Sequence, residues 1–150
     1  MKIDEIVQAK FKNAQQKAIV NLRITSNLIG QKQNAFMEPY GLTLPQFNIL
    51  RILRGANETL NVNTIKDRMI EKSPNTTRLM DKLIDKQLID RVRCEEDRRV
   101  VYVTINKNGL ALLEKIDEDL KRDNIFENKL TESDALLLSD LLDKLRNSFD

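Results

Sequence analysis

The stretch that most limits how this chain can fold lies at residues 91–105, RVRCEEDRRVVYVTI. Val101 and Val103 alternate with Val100, Tyr102 and Thr104, the period of two expected of a half-buried strand. Arg91-Val92-Arg93 reads as a partner strand, and Glu95-Glu96-Asp97-Arg98-Arg99 as the turn between them. A hairpin this short is not stable alone and needs a helix beneath it. The rest of the chain supplies helices. Four Gly and three Pro among 150 residues argue for long regular elements, so the expected class is mainly α with a small β-hairpin (α+β).

Directly before the hairpin, Ser73-Pro74 is a capping residue followed by proline, which predicts a helix from Pro74 to about Lys86. Leu79, Leu83 and Ile84 would face the core, with Leu88 just beyond. The outward face is then Pro74, Asn75, Thr76, Thr77, Arg78, Asp81, Lys82 and Asp85. A preceding helix from Thr64 to about Glu71, capped by Asn63, would bury Ile65, Met69 and Ile70. Two short helices joined by a three- or four-residue turn make a helix-turn-helix, and the hairpin adds a wing.

The chemistry of that unit fits double-stranded DNA. Arginine bonds a guanine edge bidentately, asparagine an adenine edge, and threonine a phosphate or a thymine methyl. Paired arginines on an exposed turn suit the negative potential of the minor groove. Asp97 is near enough in sequence to orient one of Arg98 and Arg99 and leave the other for DNA. The expected DNA-binding residues are Ser73, Asn75, Thr76, Thr77, Arg78, Lys82, Asp97, Arg98 and Arg99. A winged-helix protein–protein interaction module without specific DNA binding is the alternative.

The flanks read as helices too long for one small core. Ile3, Val7, Phe11, Ala14, Ala18, Leu22, Thr25 and Ile29 lay one stripe along a helix over residues 3–37. Glu38-Pro39-Tyr40-Gly41 ends it. Thr43 and Gln46 form a capping box for a helix that buries Phe47, Leu50, Ile52 and Leu53 and stops at Gly55. Leu60-Asn61-Val62 is a connector or a single edge strand. Asn106 is expected to cap a helix from Lys107 to about Phe126, carrying Leu110, Leu113, Ile116 and Leu120. Thr131 caps the last helix, whose Leu137, Leu138, Leu141, Leu142, Leu145 and Phe149 exceed what one neighbour can cover. Both ends therefore predict packing against a second copy.

Other functions are narrowed by what is missing. Histidine is absent, which removes the commonest general base and transition-metal ligand. Cys94 stands alone, so there is no disulfide framework, and it reads as a partly buried strand residue. The carboxylates of residues 114–127 interleave with Lys115 and Lys121 at ion-pair spacing, a solvated face and not an acid–base site. With no histidine and no acid–base site, no enzyme activity, metal or cofactor is expected. No run is long and apolar enough for a membrane span, and no signal pattern opens the chain, so the protein is expected to be cytoplasmic. Net charge is +4 over residues 1–60, +2 over 61–105 and −4 over 106–150, which places the positive potential with the first two-thirds.

Over nearly its whole length the chain resembles MarR-family transcription regulators. The likeness is carried by residues 42–47 (LTLPQF), Thr76 to Leu83 (TTRLMDKL), Asp97-Arg98-Arg99, and residues 103–109 (VTINKNG). It implies a single domain over 1–150: a winged helix-turn-helix lobe at about 42–106, with dimerisation helices at about 1–40 and 107–150. It implies a homodimer on a pseudo-palindromic operator, released by a small-molecule effector or an oxidant, and a repressor by default. Arg99 would take a minor-groove role, Arg98 a backbone role and Asp97 an orienting role. A ligand cleft would draw on Phe36, Tyr40 and Phe47. The family usually has glycine where Gln87 and Ile70 stand and a small residue where Lys66 stands, so Gln87 is expected in a left-handed conformation.

Overall fold

The structure is a computed structural model that describes residues 1–8, 10–123 and 129–149. It divides into two compact units, Met1–Leu112 and Leu113–Asp150. The first holds helices α1 (Ile3–Val7), α2 (Ala14–Met37), α3 (Leu44–Ala56), α4 (Val62–Arg68) and α5 (Thr76–Asp85). It also holds strands β1 (Leu60–Asn61), β2 (Ile89–Arg93) and β3 (Val101–Ile105). Helix α6 (Lys107–Asp123) begins in the first unit and continues into the second, where α7 (Glu132–Arg146) follows.

The core of the first unit is built around α3. Its start is the expected capping box: Thr43 Oγ1 accepts from the Gln46 N–H at 3.4 Å, and Gln46 Oε1 accepts from the Thr43 N–H at 3.0 Å. Phe47, Ile49, Leu50 and Leu53 are buried along it, and α2, α4, α5 and β3 all pack on α3. Ile52, expected inside, is only half-buried. Gly55 does not stop the helix. Asn57, left-handed at φ 53°, ends it two residues later, a conformation asparagine tolerates better than most residues.

The sheet has strand order β1-β3-β2, antiparallel throughout. Leu60 lies opposite Val103, and Ile89 to Arg93 run against Ile105 to Val101. Leu60, Ile89 and Val103 are buried, so one face of the sheet closes the core over Ile65, Met80 and Leu83. The short Leu60–Asn61 segment is thus an edge strand.

Several boundaries depart from the sequence pattern. The stripe over residues 3–37 is cut after Val7, because Gln8 turns left-handed at φ 52° and Asn13 caps a new helix by accepting from the Gln16 N–H at 2.8 Å. Asp4 bonds Lys17 across the break, and this holds the Asp4 carboxyl below its usual range. Helix α4 starts two residues early, since Asn61 and not Asn63 supplies the cap, accepting from the Asn63 N–H at 2.8 Å. It ends at Arg68, leaving residues 69–75 as a seven-residue turn, longer than expected. Ile70 is 85% exposed, not inward. Its N–H donates to Asn48 Oδ1 on α3 at 3.0 Å, so the backbone is pinned while the side chain leaves the core.

In the second unit, Leu113 and Ile116 are fully buried on α6. Arg122 holds Asp119 at 2.8 Å and Asp123 at 3.0 Å, and its guanidinium is raised above its usual range by Asp123 first. Phe126 and Glu127, named from the sequence, lie outside the described residues. Thr131 Oγ1 caps α7 by accepting from the Asp134 N–H at 3.2 Å. No residue of α7 is buried, and Leu136, Leu137, Leu138 and Leu141 are all exposed.

Candidate nucleic-acid interface

Helix α5 opens at Thr76, two residues after Pro74, and Ser73 is not its side-chain cap. Ser73 Oγ accepts from the Asn75 N–H at 3.1 Å, and the Ser73 carbonyl accepts from Thr76 Oγ1 at 2.9 Å. These bonds fold residues 73–75 into a turn that delivers the chain into the helix. With residues 73–75 held in that turn, the helix starts at Thr76 and not at Pro74. Thr76 is therefore not on the outward face: it is 1% exposed, its hydroxyl satisfied within the turn. Met80 joins Leu83 in the core, while Leu79 and Ile84 are half-buried.

What remains outward is Pro74, Asn75, Thr77, Arg78, Asp81, Lys82 and Asp85, all exposed, with Ser73 half-buried beside them. Arg78 and Lys82 are four residues apart and share a face. Among the described residues neither side chain has an intramolecular partner. Asp81 has one: Arg91, on β2. That ion pair ties the helix to the base of the hairpin and removes the carboxylate that would otherwise oppose an anionic ligand. Lys72 closes the other end of the helix-turn-helix, its ammonium donating to the Asp67 carbonyl at 2.6 Å at the end of α4. A lysine just past a helix end is a readable signal for that role. Arg91 and Asp81, ten residues apart on different elements, offered none.

At the wing, residues 94–100 join the strands, and the Cys94 N–H donates to the Val100 carbonyl at 3.2 Å. Asp97 takes Arg99 as its partner. Its Oδ1 accepts from the Arg99 backbone N–H at 3.0 Å and from Arg99 Nε at 3.2 Å. The Arg99 side chain is nevertheless 92% exposed, so the carboxylate fixes its root and leaves the terminal nitrogens pointing to solvent. Arg98 is exposed and, among the described residues, makes no side-chain bond. The half-buried Cys94 sits at the hairpin's root.

The three aromatic ligand candidates do not form one site. Phe36 and Tyr40 pair with ring centroids 5.7 Å apart. Phe47 is instead buried in the core, with the Arg51 guanidinium 5.7 Å above its ring. A shallow cleft near the α1–α2 break, lined by Asp4, Gln8, Lys10, Phe11, Asn13 and Lys17, contains none of them. Among the described residues no group of three acids, cysteines or histidines is placed to hold a metal, and no helix is long and apolar enough to cross a membrane.

A helix-turn-helix packed on a buried core is followed by an arginine-tipped hairpin, and the sequence that builds them matches a known family. The model of the transcriptional regulators SarA/Rot fits residues 31–116, more than half of the chain. The chain belongs to the SarA/Rot family. The HTH-type transcriptional regulator SarZ of Staphylococcus haemolyticus is 26% identical over 132 residues, covering 86% of this chain and 87% of SarZ. A MarR transcription factor from Planctomyces limnophilus superposes with TM-score 0.69 at 30% identity, over 91% of this chain and 98% of that one. A cysteine-to-serine mutant of E. coli MarR, solved with operator DNA, gives TM-score 0.70 at 25% identity, over 85% and 95%. This SarA/Rot-family chain is thus a winged-helix, DNA-binding transcription regulator of MarR type, and the protein–protein module falls away.

Proposed function

We propose that two copies of the chain bind one pseudo-palindromic operator and repress transcription by occupying it. The observation that carries this reading is the set of exposed cations without internal partners, Arg78 and Lys82 on α5 and Arg98 on the wing, beside an Arg99 whose root is held by Asp97. In this reading α5 enters the major groove with Asn75, Thr77 and Arg78 at base edges. Ser73 and Lys82 contact the backbone. Arg99 enters the minor groove, oriented by Asp97, and Arg98 takes a phosphate. Thr76 supports the helix entry from inside.

The two-copy arrangement is supported by apolar surface that one chain leaves open. Ile19, Leu28 and Ile29 on α2 and Leu136, Leu137, Leu138 and Leu141 on α7 are all more than a third exposed. Large apolar side chains left exposed in such number on a helix mark an interface more often than a free surface. Residues 1–150 then act as one MarR-like domain, with arms at about 1–40 and 107–150 and the reading lobe at about 42–106. The protein works in the cytoplasm without a cofactor and without catalysis, and a small-molecule effector releases it. Crystals of E. coli MarR with operator DNA support the partner.

Replacing Arg99 by alanine tests the wing. Losing one minor-groove arginine per protomer removes charge-assisted hydrogen bonds worth about 1.5–3 kcal/mol each, so operator affinity should fall at least about tenfold while the thermal midpoint stays put. A titration that finds unchanged affinity removes the wing from the interface.

A further inference from the structure

The C-terminal corner of the recognition helix, Lys86 to Leu88, is hydrogen-bonded to both joints by which the chain enters and leaves the lobe. Helix α5 ends in a Schellman arrangement: the Leu88 N–H donates to the Leu83 carbonyl at 3.0 Å and the Gln87 N–H to the Ile84 carbonyl at 2.8 Å. This forces Gln87 left-handed, at φ 57°, and turns its carbonyl outward. From the β3–α6 joint, Asn106 Nδ2 donates to that carbonyl at 3.0 Å and Asn108 Nδ2 at 3.2 Å. The Asn106 N–H donates to the next carbonyl, Leu88, at 3.2 Å. The same Asn106 caps α6, its Oδ1 accepting from the Gly109 N–H at 3.1 Å. A Cβ on Gly109 would lie 2.3 Å from the Leu88 oxygen, so the first turn of α6 rests directly on the corner.

The other joint reaches the same place. The Lys86 ammonium donates to the carbonyl of Gly41, the left-handed residue between α2 and α3. Asn34 Oδ1, on α2, accepts from the Leu44 N–H at 3.1 Å, which binds α2 to the start of α3. A carbonyl has two acceptor positions, and two amide donors fill both on Gln87, so its direction is fixed from α6. The recognition helix therefore cannot tilt without breaking bonds to the Gly41 joint between α2 and α3 and to the start of α6.

We infer that Lys86, Asn106 and Asn108 are positioning residues that couple the recognition helix to α2 and α6, and so set the spacing between half-sites that the regulator accepts. This rests on the two-copy reading above. Coupling of this kind is carried by hydrogen-bonded contacts between rigid elements and is typically worth a factor of about 5 to 30 in affinity.

The test compares the full chain with the double variant Lys86→Met, Asn108→Ala. Both positions are exposed, and neither change disturbs the core. The half-site is first taken from sequences the parent selects out of random duplexes. Binding is then measured on a single half-site, and on pairs of half-sites whose separation is varied one base pair at a time. The variant should match the parent on the single half-site, with the same salt dependence, and keep the parent's thermal midpoint. On the best-spaced pair it should bind roughly 5- to 30-fold more weakly, with a broader spacing optimum. Lys86→Arg with Asn108 intact, which keeps both donors, should reproduce the parent's profile. Equal loss on single and paired sites would make Lys86 a direct DNA contact and overturn the inference, as would a variant with an unchanged spacing profile. A parent indifferent to spacing would instead overturn the two-copy reading, and this inference with it.

Discussion

Replacing Gln87 by glycine should stabilise the protein, although it removes a side chain and adds no contact. Gln87 sits at φ 57°, where an L-residue is disfavoured by about 1–2 kcal/mol because Cβ crowds the carbonyl. Its side chain is exposed and bonds nothing among the described residues; only its N–H and carbonyl are used, and glycine keeps both. Against the relief stands the extra chain entropy that glycine must lose on folding, about 0.5–1 kcal/mol. The difference leaves a net gain of about 0.5–1 kcal/mol. The assay is urea unfolding at one fixed protein concentration, because association adds to apparent stability. The midpoint should rise with an unchanged slope, and the thermal midpoint should rise by about 1–4 °C. A lower midpoint would show that the left-handed strain is not there or that the Gln87 side chain stabilises the corner.

Three further changes probe the interface and its support. Thr76→Val removes a hydroxyl that donates to Ser73 at 2.9 Å from a buried position; it should cost about 1 kcal/mol by denaturant unfolding and weaken DNA binding only modestly, whereas an outward, base-reading Thr76 would lose affinity without losing stability. Asp97→Asn weakens the hold on Arg99 and should reduce operator affinity by less than about tenfold, the cost of ordering one long side chain on binding; a loss as large as that of Arg99→Ala would give Asp97 a role beyond orientation. Gly109→Ala places a methyl 2.3 Å from the Leu88 oxygen and should destabilise by about 1–3 kcal/mol in the same unfolding assay, while a neutral result would mean that α6 can slide away from the corner freely.

The parts of the fold set by neighbours in sequence could be read from the residues alone. The Thr43–Gln46 box, the caps at Asn106 and Thr131 and the hairpin depend on groups close together in sequence, whereas the left-handed Gln87 is legible only through the glycine usual at that position in the family the chain resembles. The apolar stripe over residues 3–37 misled because its spacing runs on through Gln8, while the left-handed Gln8 ends one helix and Asn13 caps the next. Thr76 misled for a related reason. A threonine near a helix start reads as exposed and polar, but burial costs little once its hydroxyl has a carbonyl within reach. The Asp81–Arg91 pair and the Asn48 bond that pins Ile70 join residues from different elements, and only the fold brings them together.

The central claim is that this chain distinguishes sequences through α5 and the wing. Repeated selection from a pool of random duplexes, followed by titration of the enriched and unselected pools at about 0.15 M salt, tests it most directly. Enrichment of a two-fold-related sequence, bound at least about a thousandfold more tightly than the random pool, is the result expected. A pool that stays random, bound with affinity that varies with salt alone, would contradict it.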